Sequence, residues 1–255
     1  MSDAADDSSA ALLPRVIALE GASNLRDLGG WTTADGRRVR AGQVFRSAAL
    51  LRLTVSDQAA VAALGLRTVC DLRGMAERAA APVVLAGADA VALSIEPTVG
   101  VTLREILGVR QASAAEALAL MRRAYTAYAR DCTAQYRRLF ALVRDPERLP
   151  LMFHCSAGKD RTGFAAAALL AALGVGWEEV LEDYLASTRL WRRDTLPERG
   201  LPPAIAAVLL GVEASLLEAA FAAMRETAGS VEAYLERALG VDAAARTRLQ
   251  ALLLE

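Results

Sequence analysis

Four residues with chemically useful side chains, Cys155, Lys159, Asp160 and Arg161, lie close together in the segment LMFHCSAGKDRTG, residues 151–163. An apolar run precedes them and an Ala/Leu-rich run follows, so the segment predicts a strand, a loop and a helix. The first N–H groups of a helix have no partner within it, and the helix dipole adds positive charge there. Such a junction binds anions, which predicts an oxyanion site inside this loop.

The side chains of the loop indicate what would be done with that anion. Positive surroundings at a helix N-terminus favour the thiolate form of Cys155, which is the nucleophilic form of cysteine. Arg161, six positions later, presents a planar fork that can bind two oxygens of a tetrahedral dianion. Thr162 is expected to donate a hydroxyl hydrogen bond to the sulfur, which would help the sulfur leave later. The pattern Cys-x5-Arg-Thr-Gly therefore predicts phosphate as the ligand and cysteine as the attacking group.

The rest of the loop is predicted to bind the phosphate, and two other interpretations stay open. The residues expected to contact substrate are Ser156, Ala157, Gly158, Lys159, Thr162 and Gly163. A sulfurtransferase also places a cysteine in an anion-binding loop, and the segment can be a structural turn without chemistry. A nucleotide-binding P-loop does not fit, because Phe153 stands where that motif has glycine and Asp160 where it has serine or threonine.

The wider sequence predicts the elements that hold this loop. Strands are expected at LRTVCDLR, AVALSI and LPLMFH, with Asp35-Gly36 as a hairpin turn between two further short strands. Helices are expected at TVSDQAAVAALG, over about 113–143, and from the loop to Gly174. Strands that alternate with helices favour an α/β fold with a mainly parallel central sheet flanked by helices, and further helical runs predict extra C-terminal helices.

Size and composition fit one folded domain. The chain has 255 residues, of which 54% are hydrophobic and 23% charged, so it can bury a substantial core and is unlike a disordered chain. No repeat, linker or shift in composition divides it, which predicts a single domain over residues 15–255. Residues 1–14 are acidic, small and polar, and are expected to form a disordered tail.

Charge, targeting signals and cysteines exclude several classes of protein. A formal net charge of −1 gives no overall attraction to nucleic acid or to an anionic membrane. The sequence predicts no membrane span and no signal peptide, so we expect a cytoplasmic protein, with export without a signal left open. Three cysteines without a CxxC pair and one histidine, His154, predict neither a disulfide framework nor a metal site. Cys70 and Cys132 are expected to pack in the core, with a redox role of Cys70 as the alternative.

HCSAGKDRTG resembles the signature of the cysteine-dependent protein-tyrosine phosphatase superfamily, in the form found in atypical bacterial tyrosine and lipid phosphatases. The segments NLRDLGG, GQVFRSAAL, LGLRTVCDLR, DYLAST and GSVEAYLERALGVD resemble parts of the same family in the same order. The resemblance covers the chain from about Val16 onward, and the loop is its most specific part. It implies the cysteine phosphatase fold for the domain.

The resemblance also implies a two-step hydrolysis. Cys155 would attack phosphorus to form a phosphocysteine, Arg161 and the loop amides would stabilise the phosphoryl oxygens, and water would release phosphate. No metal or other cofactor is implied. The implied substrates carry phosphotyrosine and, in some members, phosphoserine, phosphothreonine or a phosphoinositide headgroup. No nucleic acid and no stable membrane insertion are implied, and the oligomeric state is left open.

The residue that protonates the leaving group has two candidates. Many superfamily members use an Asp on a loop after an upstream strand, but here AVALSI is followed by EPTVG, which offers Glu96 and no Asp. Asp160, inside the loop, is the other candidate, because members that resemble this sequence carry an Asp there. Each has a structural alternative: Asp160 as a brace paired with an arginine, and Glu96 as a solvated residue. Lys159 would add charge for inositol phosphates or be solvated.

Several residues outside the loop remain ambiguous between support and function. His154 is expected to orient the loop through a ring N–H. Asp71 and Arg73, at the end of a predicted strand, would brace the floor of the site or form an ion pair without a role there. The same ambiguity applies to Arg26, Asp27 and Arg46, whereas Trp31, Trp177 and Trp191 are expected to pack. The function predicted is a metal-independent phosphatase; the alternatives are a phosphate-binding module with little turnover and a sulfurtransferase.

Overall fold

The computed structural model describes residues 15–96, 113–192 and 202–255, and a five-stranded sheet lies at its centre. The strands are β1 (Arg26–Asp27), β2 (Val44–Ser47), β3 (Thr68–Asp71), β4 (Asp89–Ala92) and β5 (Leu151–His154). They lie in the order β1-β2-β5-β3-β4, with β1 antiparallel to β2 and every other neighbouring pair parallel. The predicted α/β fold with a mainly parallel sheet is confirmed.

Helices follow the strands and then continue alone to the C-terminus. The first six are α1 (Val55–Ala62), α2 (Met75–Ala80), α3 (Ala114–Asp131), α4 (Thr133–Val143), α5 (Arg161–Leu173) and α6 (Trp177–Leu190). The predicted C-terminal helices are α7 (Pro203–Leu210), α8 (Ala214–Ala228), α9 (Val231–Arg237) and α10 (Ala243–Leu253).

Local sequence accounts for where the main helices begin and end. Thr54 and Ser113 cap α1 and α3, and each forms a capping box with the acidic residue three positions later. Helix α5 ends at Gly174, which has φ +90°, a left-handed conformation that glycine adopts without steric cost. These boundaries were therefore readable from residue type and spacing.

The central sheet separates two hydrophobic cores. Leu151 and Phe153 of β5 face the larger core, which contains residues of α3 to α6 and of the C-terminal helices. Met152, between them, faces the smaller core with Val61 of α1. Because side chains alternate along a strand, a strand buried on both faces reads as an unbroken apolar run, as LMF does. Helix α5 lies in the larger core, and all its residues except Ala171 are buried.

Two local predictions need correction. The turn at Asp35-Gly36 is present, with Gly36 at φ +86°, and backbone hydrogen bonds join its flanks, but the pairing stays at the isolated bridge between Thr32 and Arg38 and does not form two strands. The long helix expected over 113–143 is two helices, because Cys132 interrupts them with φ −111° and ψ 19°. The tail predicted over residues 1–14 lies outside the described residues.

None of the described helices alone is long and apolar enough to cross a membrane. Helices α7 and α8 together meet the length and composition criteria, with a bend of 49° between them.

Candidate active site

The loop between β5 and α5 curls so closely against the end of β2 that only glycine fits at its centre. Gly158 has φ +67°, and a Cβ atom there would lie 2.4 Å from the carbonyl carbon and oxygen of Ser47. Asn24 donates through Nδ2 to the carbonyl oxygens of Ala157 (3.0 Å) and Gly158 (2.9 Å). These bonds fix the two carbonyl oxygens on the side of Asn24.

A buried cluster of Arg26, Arg46 and Asp183 supports the loop from behind. Asp183 of α6 accepts hydrogen bonds from Arg26 Nε, at 2.9 Å, and from Arg46 Nη1. Arg46 also donates through Nη2 to the carbonyl oxygen of Gly158, at 2.8 Å. Burial raises the pKa of Asp183, but the charges of the two arginines outweigh it and hold that pKa below its ordinary value. The cluster is therefore charged, and it joins α6, the sheet and the loop.

Arg161, the first residue of α5, is oriented by Glu77 of α2. Its Nη1 and Nη2 atoms donate to the two carboxylate oxygens of Glu77, at 2.6 and 3.1 Å, and Nη1 also donates to the carbonyl oxygen of Ile95, at 3.0 Å. Ser156 donates to the same carboxylate through Oγ. Burial raises the pKa of Glu77, but hydrogen bonds and charge from Arg161 bring it down to about 2.

One edge of the Arg161 guanidinium remains available for a ligand. The group has five N–H donors. Glu77 and Ile95 take both N–H bonds of Nη1 and one of Nη2. The Nε–H and the second Nη2–H form no hydrogen bond with any residue in the described part of the chain. This Nε/Nη2 edge has the parallel pair of donors that binds two oxygens of a phosphate.

Asp160, at the N-terminus of α5, lies in a hydrogen-bond network with a lysine and two tyrosines. Its Oδ1 atom accepts from the Tyr125 hydroxyl at 2.9 Å and from Lys159 Nζ at 2.8 Å. The hydroxyl of Tyr184 lies 2.7 Å from that of Tyr125. Lys159 is only 4% exposed, and its Nζ also donates to the carbonyl oxygen of Gly211. Thus Lys159 is not solvated, and Asp160 pairs with lysine where an arginine was the expected partner.

These charged residues surround a cavity of about 320 Å³ in which Cys155 lies at the wall. Cys155 is itself 2% exposed, at the end of β5. The charged residues of the wall are Arg52, Arg73, Lys159, Asp160 and Arg161. Its apolar residues include Ala22, Ala48, Leu51, Trp191, Leu209 and Leu210. Cys155, Asp160 and Arg161 therefore line one partly open cavity with room for a phosphorylated side chain.

A model of the tyrosine phosphatase family matches residues 17–255, nearly the whole chain. The chain belongs to the tyrosine phosphatase family. This family places it among phosphoric monoester hydrolases, which is the enzyme class predicted from the loop. The match extends through the C-terminal helices.

Two relatives support this assignment. A Cupriavidus necator protein, provisionally named a tyrosine-protein phosphatase, is 38% identical over 242 residues, which cover 89% of this chain and 85% of that protein. The triple specificity protein phosphatase PtpB of Mycobacterium tuberculosis is 30% identical over 275 residues, covering 92% of this chain and 98% of PtpB. A solved structure of TpbA from P. aeruginosa covers 76% of this chain and 96% of its own, with 18% identity and a TM-score of 0.31.

The predicted site residues of this tyrosine phosphatase fall into two groups. Six of them line the cavity: Cys155, Ser156, Ala157, Lys159, Asp160 and Arg161. Gly158, Thr162 and Gly163 lie behind that surface, and a Cβ atom on Gly163 would lie 2.9 Å from the ring of Tyr184. The structure does not show the expected bond from Thr162 to the sulfur. The Thr162 hydroxyl is buried and has no hydrogen-bond partner in the described residues.

Glu96, the other candidate acid, is not among the described residues that line this cavity. It is exposed, and its Oε1 accepts a hydrogen bond from the backbone N–H of Met75 at 2.9 Å. The structure therefore brings Asp160, and not Glu96, to the same wall as Cys155.

Residues flanking the loop mostly support it. His154 is fully buried, its Nδ1 lies 3.2 Å from the carbonyl oxygen of Cys155, and burial lowers its pKa, so a neutral ring donates from Nδ1. Arg73 forms an ion pair with Asp71 at 2.7 Å, and it also reaches the cavity wall. Asp27 accepts from the backbone N–H groups of two glycines in adjoining turns and is not part of the cavity lining.

The tryptophans and the remaining cysteines also have defined places. Trp31 is buried, and Trp177 packs edge-on against Phe221 with ring centroids 4.9 Å apart, as predicted. Trp191 was expected only to pack, but it also forms part of the cavity wall. Cys70 is fully buried in the larger core, and burial raises its pKa to about 12, so it is a poor redox partner for Cys155.

Two further features bear on other kinds of chemistry. Among residues 15–96, 113–192 and 202–255, no group of three or more His, Cys, Asp or Glu side chains is placed to hold a metal ion. A larger cavity, of about 730 Å³, lies between α1 and the segment after α2 and shares only Leu51 with the cavity at Cys155. Arg67 is the charged residue of its described wall and no nucleophile lies there, so the chemistry belongs to the smaller cavity.

The sequence by itself gives no role to five supporting residues: Asn24, Glu77, Tyr125, Asp183 and Tyr184. A signal exists for three of them, because NLRDLGG contains Asn24 and DYLAST contains Asp183 and Tyr184. Both segments resemble the family as wholes and indicate no function for these side chains. Glu77 lies three positions after Gly74, the residue that caps α2. An acidic residue at this position of a helix is common, so nothing in the sequence marks Glu77 as the partner of Arg161.

The Glu77→Gln change is expected to make the free energy of unfolding less dependent on pH. The folded pKa of about 2 lies below the ordinary value of 4.5, so this carboxylate stabilises the fold above about pH 4.5 and loses its effect as pH falls toward 2. After allowance for solvent screening, the contribution at neutral pH is about 1–2 kcal/mol. Urea unfolding at several pH values measures it: the two proteins should differ at pH 7 and converge near pH 2–3.

A suitable control for that experiment is Glu226→Gln, because Glu226 is an exposed acid whose arginine partner is also exposed. Its effect should be small, since an exposed ion pair contributes about 0–1 kcal/mol. A constant difference between the Glu77→Gln variant and the parent from pH 7 to pH 3 would contradict the ion pair.

Proposed function

We propose that this enzyme hydrolyses phosphotyrosine through a phosphocysteine intermediate on Cys155, without a metal ion. The observation that carries the proposal is the shared cavity wall. Cys155, the loop that follows it and Arg161, whose Nε–H and second Nη2–H have no partner among the described residues, all line it. A nucleophile and its oxyanion site are thus adjacent within one loop, as attack on a phosphoryl group requires.

In the first step, the Cys155 thiolate attacks phosphorus as the bond from phosphorus to the tyrosyl oxygen breaks. The free edge of Arg161 and the loop N–H groups bind the equatorial oxygens, on which negative charge is spread. The departing phenolate takes a proton from the carboxyl group of Asp160. In the second step, the carboxylate of Asp160 accepts a proton from water as that water attacks phosphorus, and the sulfur leaves as thiolate.

Asp160 is the proposed acid because of its position and its bonding. Both donors to this carboxyl group, Tyr125 and Lys159, bind Oδ1. Oδ2 receives no hydrogen bond from the described residues, so it is free to carry the proton to the leaving oxygen. Glu96 is the weaker candidate, because it is exposed and bound to the backbone of α2.

The Asp160→Asn change is expected to reduce kcat/KM for phosphotyrosine by about 10²- to 10⁴-fold, the usual contribution of general acid catalysis. The loss should be much smaller for an activated aryl phosphate such as dinitrophenyl phosphate, whose phenolate leaves without protonation. Glu96→Gln is the matched control and should change kcat/KM by less than about twofold, because an exposed acid away from the cavity takes no part in the step. If Glu96→Gln lowered kcat/KM more than Asp160→Asn, Glu96 and not Asp160 would be the acid.

The proposal includes a secondary substrate class. PtpB is named a triple specificity protein phosphatase, and Lys159 has a third ammonium N–H beyond the two that bind Asp160 and Gly211. We therefore include phosphoserine, phosphothreonine and phosphoinositides as substrates to be tried beside phosphotyrosine. Lys159→Met should lower turnover of phosphoinositides more than turnover of a small aryl phosphate if this N–H binds a second phosphate.

Release of inorganic phosphate from phosphotyrosine peptides in the presence of a metal chelator tests the function directly. Turnover under these conditions supports the proposal, and activity that requires an added divalent metal contradicts it. Binding of phosphotyrosine peptides without phosphate release would instead indicate a binding module. Formation of thiocyanate from thiosulfate and cyanide would indicate a sulfurtransferase.

A further inference from the structure

We propose that Tyr125 and Tyr184 are positioning residues that fix the carboxyl group of Asp160 for proton transfer and select Oδ2 as the oxygen that carries the proton. This inference rests on the proposed role of Asp160 as the acid. Neither tyrosine lines the cavity among the described residues, so both would act through Asp160 and not on the substrate.

The direction of the hydrogen bonds follows from counting protons. Each tyrosine hydroxyl has one proton, and an ionised carboxylate has none. Tyr125 must therefore donate to Asp160 Oδ1, over 2.9 Å, and its oxygen must accept the proton of Tyr184, over 2.7 Å. The chain thus runs in one direction, from Tyr184 to Tyr125 to the carboxylate. Hydrogen bonds arranged in this way polarise and strengthen one another.

The same count assigns the acid proton to one oxygen. Oδ1 accepts from Tyr125 and from Lys159 Nζ, which occupy its lone pairs. A proton added to Oδ1 would displace one of these donors, whereas a proton added to Oδ2 displaces no donor from the described residues. Protonation therefore takes place on Oδ2, and the bonds to Oδ1 stop the carboxyl group from exchanging its two oxygens by rotation.

The two tyrosines are held rigidly enough to do this. Both rings are fully buried, and they meet edge to face with centroids 6.1 Å apart at 82°. The ring of Tyr184 lies so close to Gly163, in the first turn of α5, that even a Cβ atom there would need the ring to move. Burial raises the pKa of both hydroxyls well above its ordinary value, so both stay protonated donors. The network therefore ties Asp160 to α3 and α6.

The test is the dependence of Tyr125→Phe on the leaving group. We expect kcat/KM for phosphotyrosine to fall by about 10- to 100-fold, the size expected for one hydrogen bond to a charged group. For dinitrophenyl phosphate we expect less than about a twofold change, because its leaving group needs no proton and binding by Cys155 and Arg161 is intact. Tyr184→Phe should show the same pattern with a smaller loss, since it weakens the chain one bond further away.

A purely structural role of Tyr125 would lower kcat/KM for both substrates alike. Tyr234→Phe is the matched control: Tyr234 is also fully buried, and its hydroxyl donates to the carbonyl oxygen of Ala129 in α3, at 2.5 Å, away from the cavity. It should leave the ratio of the two kcat/KM values unchanged. If Tyr125→Phe lowers kcat/KM equally for phosphotyrosine and dinitrophenyl phosphate, the positioning role is wrong. If Tyr125→Phe does not fold, the ratio measured for Tyr184→Phe decides in the same way.

The experiment also separates this inference from the proposed function. Asp160→Asn is measured with the same two substrates. If that variant shows no dependence on the leaving group, Asp160 is not the acid, and the proposed mechanism fails together with the inference. If Asp160→Asn shows the dependence but neither tyrosine variant does, only the positioning role is overturned.

Discussion

Replacing Cys155 by serine is expected to lower phosphotyrosine turnover by about 10⁴- to 10⁶-fold, the range seen when a catalytic nucleophile is removed. A serine hydroxyl at neutral pH is almost entirely protonated, and the thiolate is the attacking form of cysteine. The change replaces one small side chain by another at a 2% exposed position, so the loop and the free edge of Arg161 should persist. The variant should therefore still bind phosphotyrosine peptides.

Two measurements check this result. Acid quenching of the parent enzyme during turnover of a radiolabelled phosphopeptide should trap label on the protein, and the Cys155→Ser variant should trap none. Cys132→Ser is the matched control, because Cys132 is half-buried between α3 and α4 and is not part of the described cavity lining. Substantial turnover by the Cys155→Ser variant would overturn the covalent mechanism, and equal loss in the Cys132→Ser variant would point to misfolding.

Replacing Asp183 by alanine is expected to destabilise the fold by about 3–5 kcal/mol, the cost of leaving a buried charge without its partner. Arg26 and Arg46 are both fully buried, and Asp183 accepts hydrogen bonds from each. In the Asp183→Ala variant two guanidinium groups would remain in the interior without that carboxylate. Urea unfolding at neutral pH measures the loss as a lower midpoint.

The Asp183→Ala variant should also bind phosphate less well in its folded fraction. Arg46 donates to the carbonyl oxygen of Gly158, so a displaced Arg46 releases the loop from one of its supports. Glu226→Ala is the control, since it breaks an ion pair in which both side chains are about half exposed, at a cost of about 0–1 kcal/mol. A similar loss of stability in the two variants would show that Asp183 is no more than an ordinary surface partner.

The parts of the structure that sequence predicts well are those set by neighbours in the chain. The junction of β5 and α5 depends on an apolar run, a glycine and a helix-forming run, all within residues 151–174. The same holds for the caps of α1 and α3, where a hydroxyl and an acidic residue lie three positions apart. The prediction of a hairpin at Asp35-Gly36 is partly wrong. The residues of the turn determine its local conformation but not how far the flanking segments pair.

The supports of the site could not be predicted in the same way. Glu77 is 84 positions from Arg161, and Tyr125 is 35 positions from Asp160. An acidic residue or a tyrosine on a helix is ordinary in sequence, and only folding brings it to a particular partner. The same limit applied to the two candidate acids, because only the structure shows that Asp160 lines a cavity with Cys155 and that Glu96 binds the backbone of α2.

The sequence alone therefore determined the reactive loop, the α/β fold around it and the class of chemistry, because those depend on residue types at short, fixed spacings. Tertiary structure alone decided which groups hold that loop in its working form. It left one edge of Arg161 free by giving the other to Glu77, and it placed two tyrosines behind Asp160. The physical reason is that hydrogen bonds and charges act over a few ångströms in space, whatever the separation along the chain.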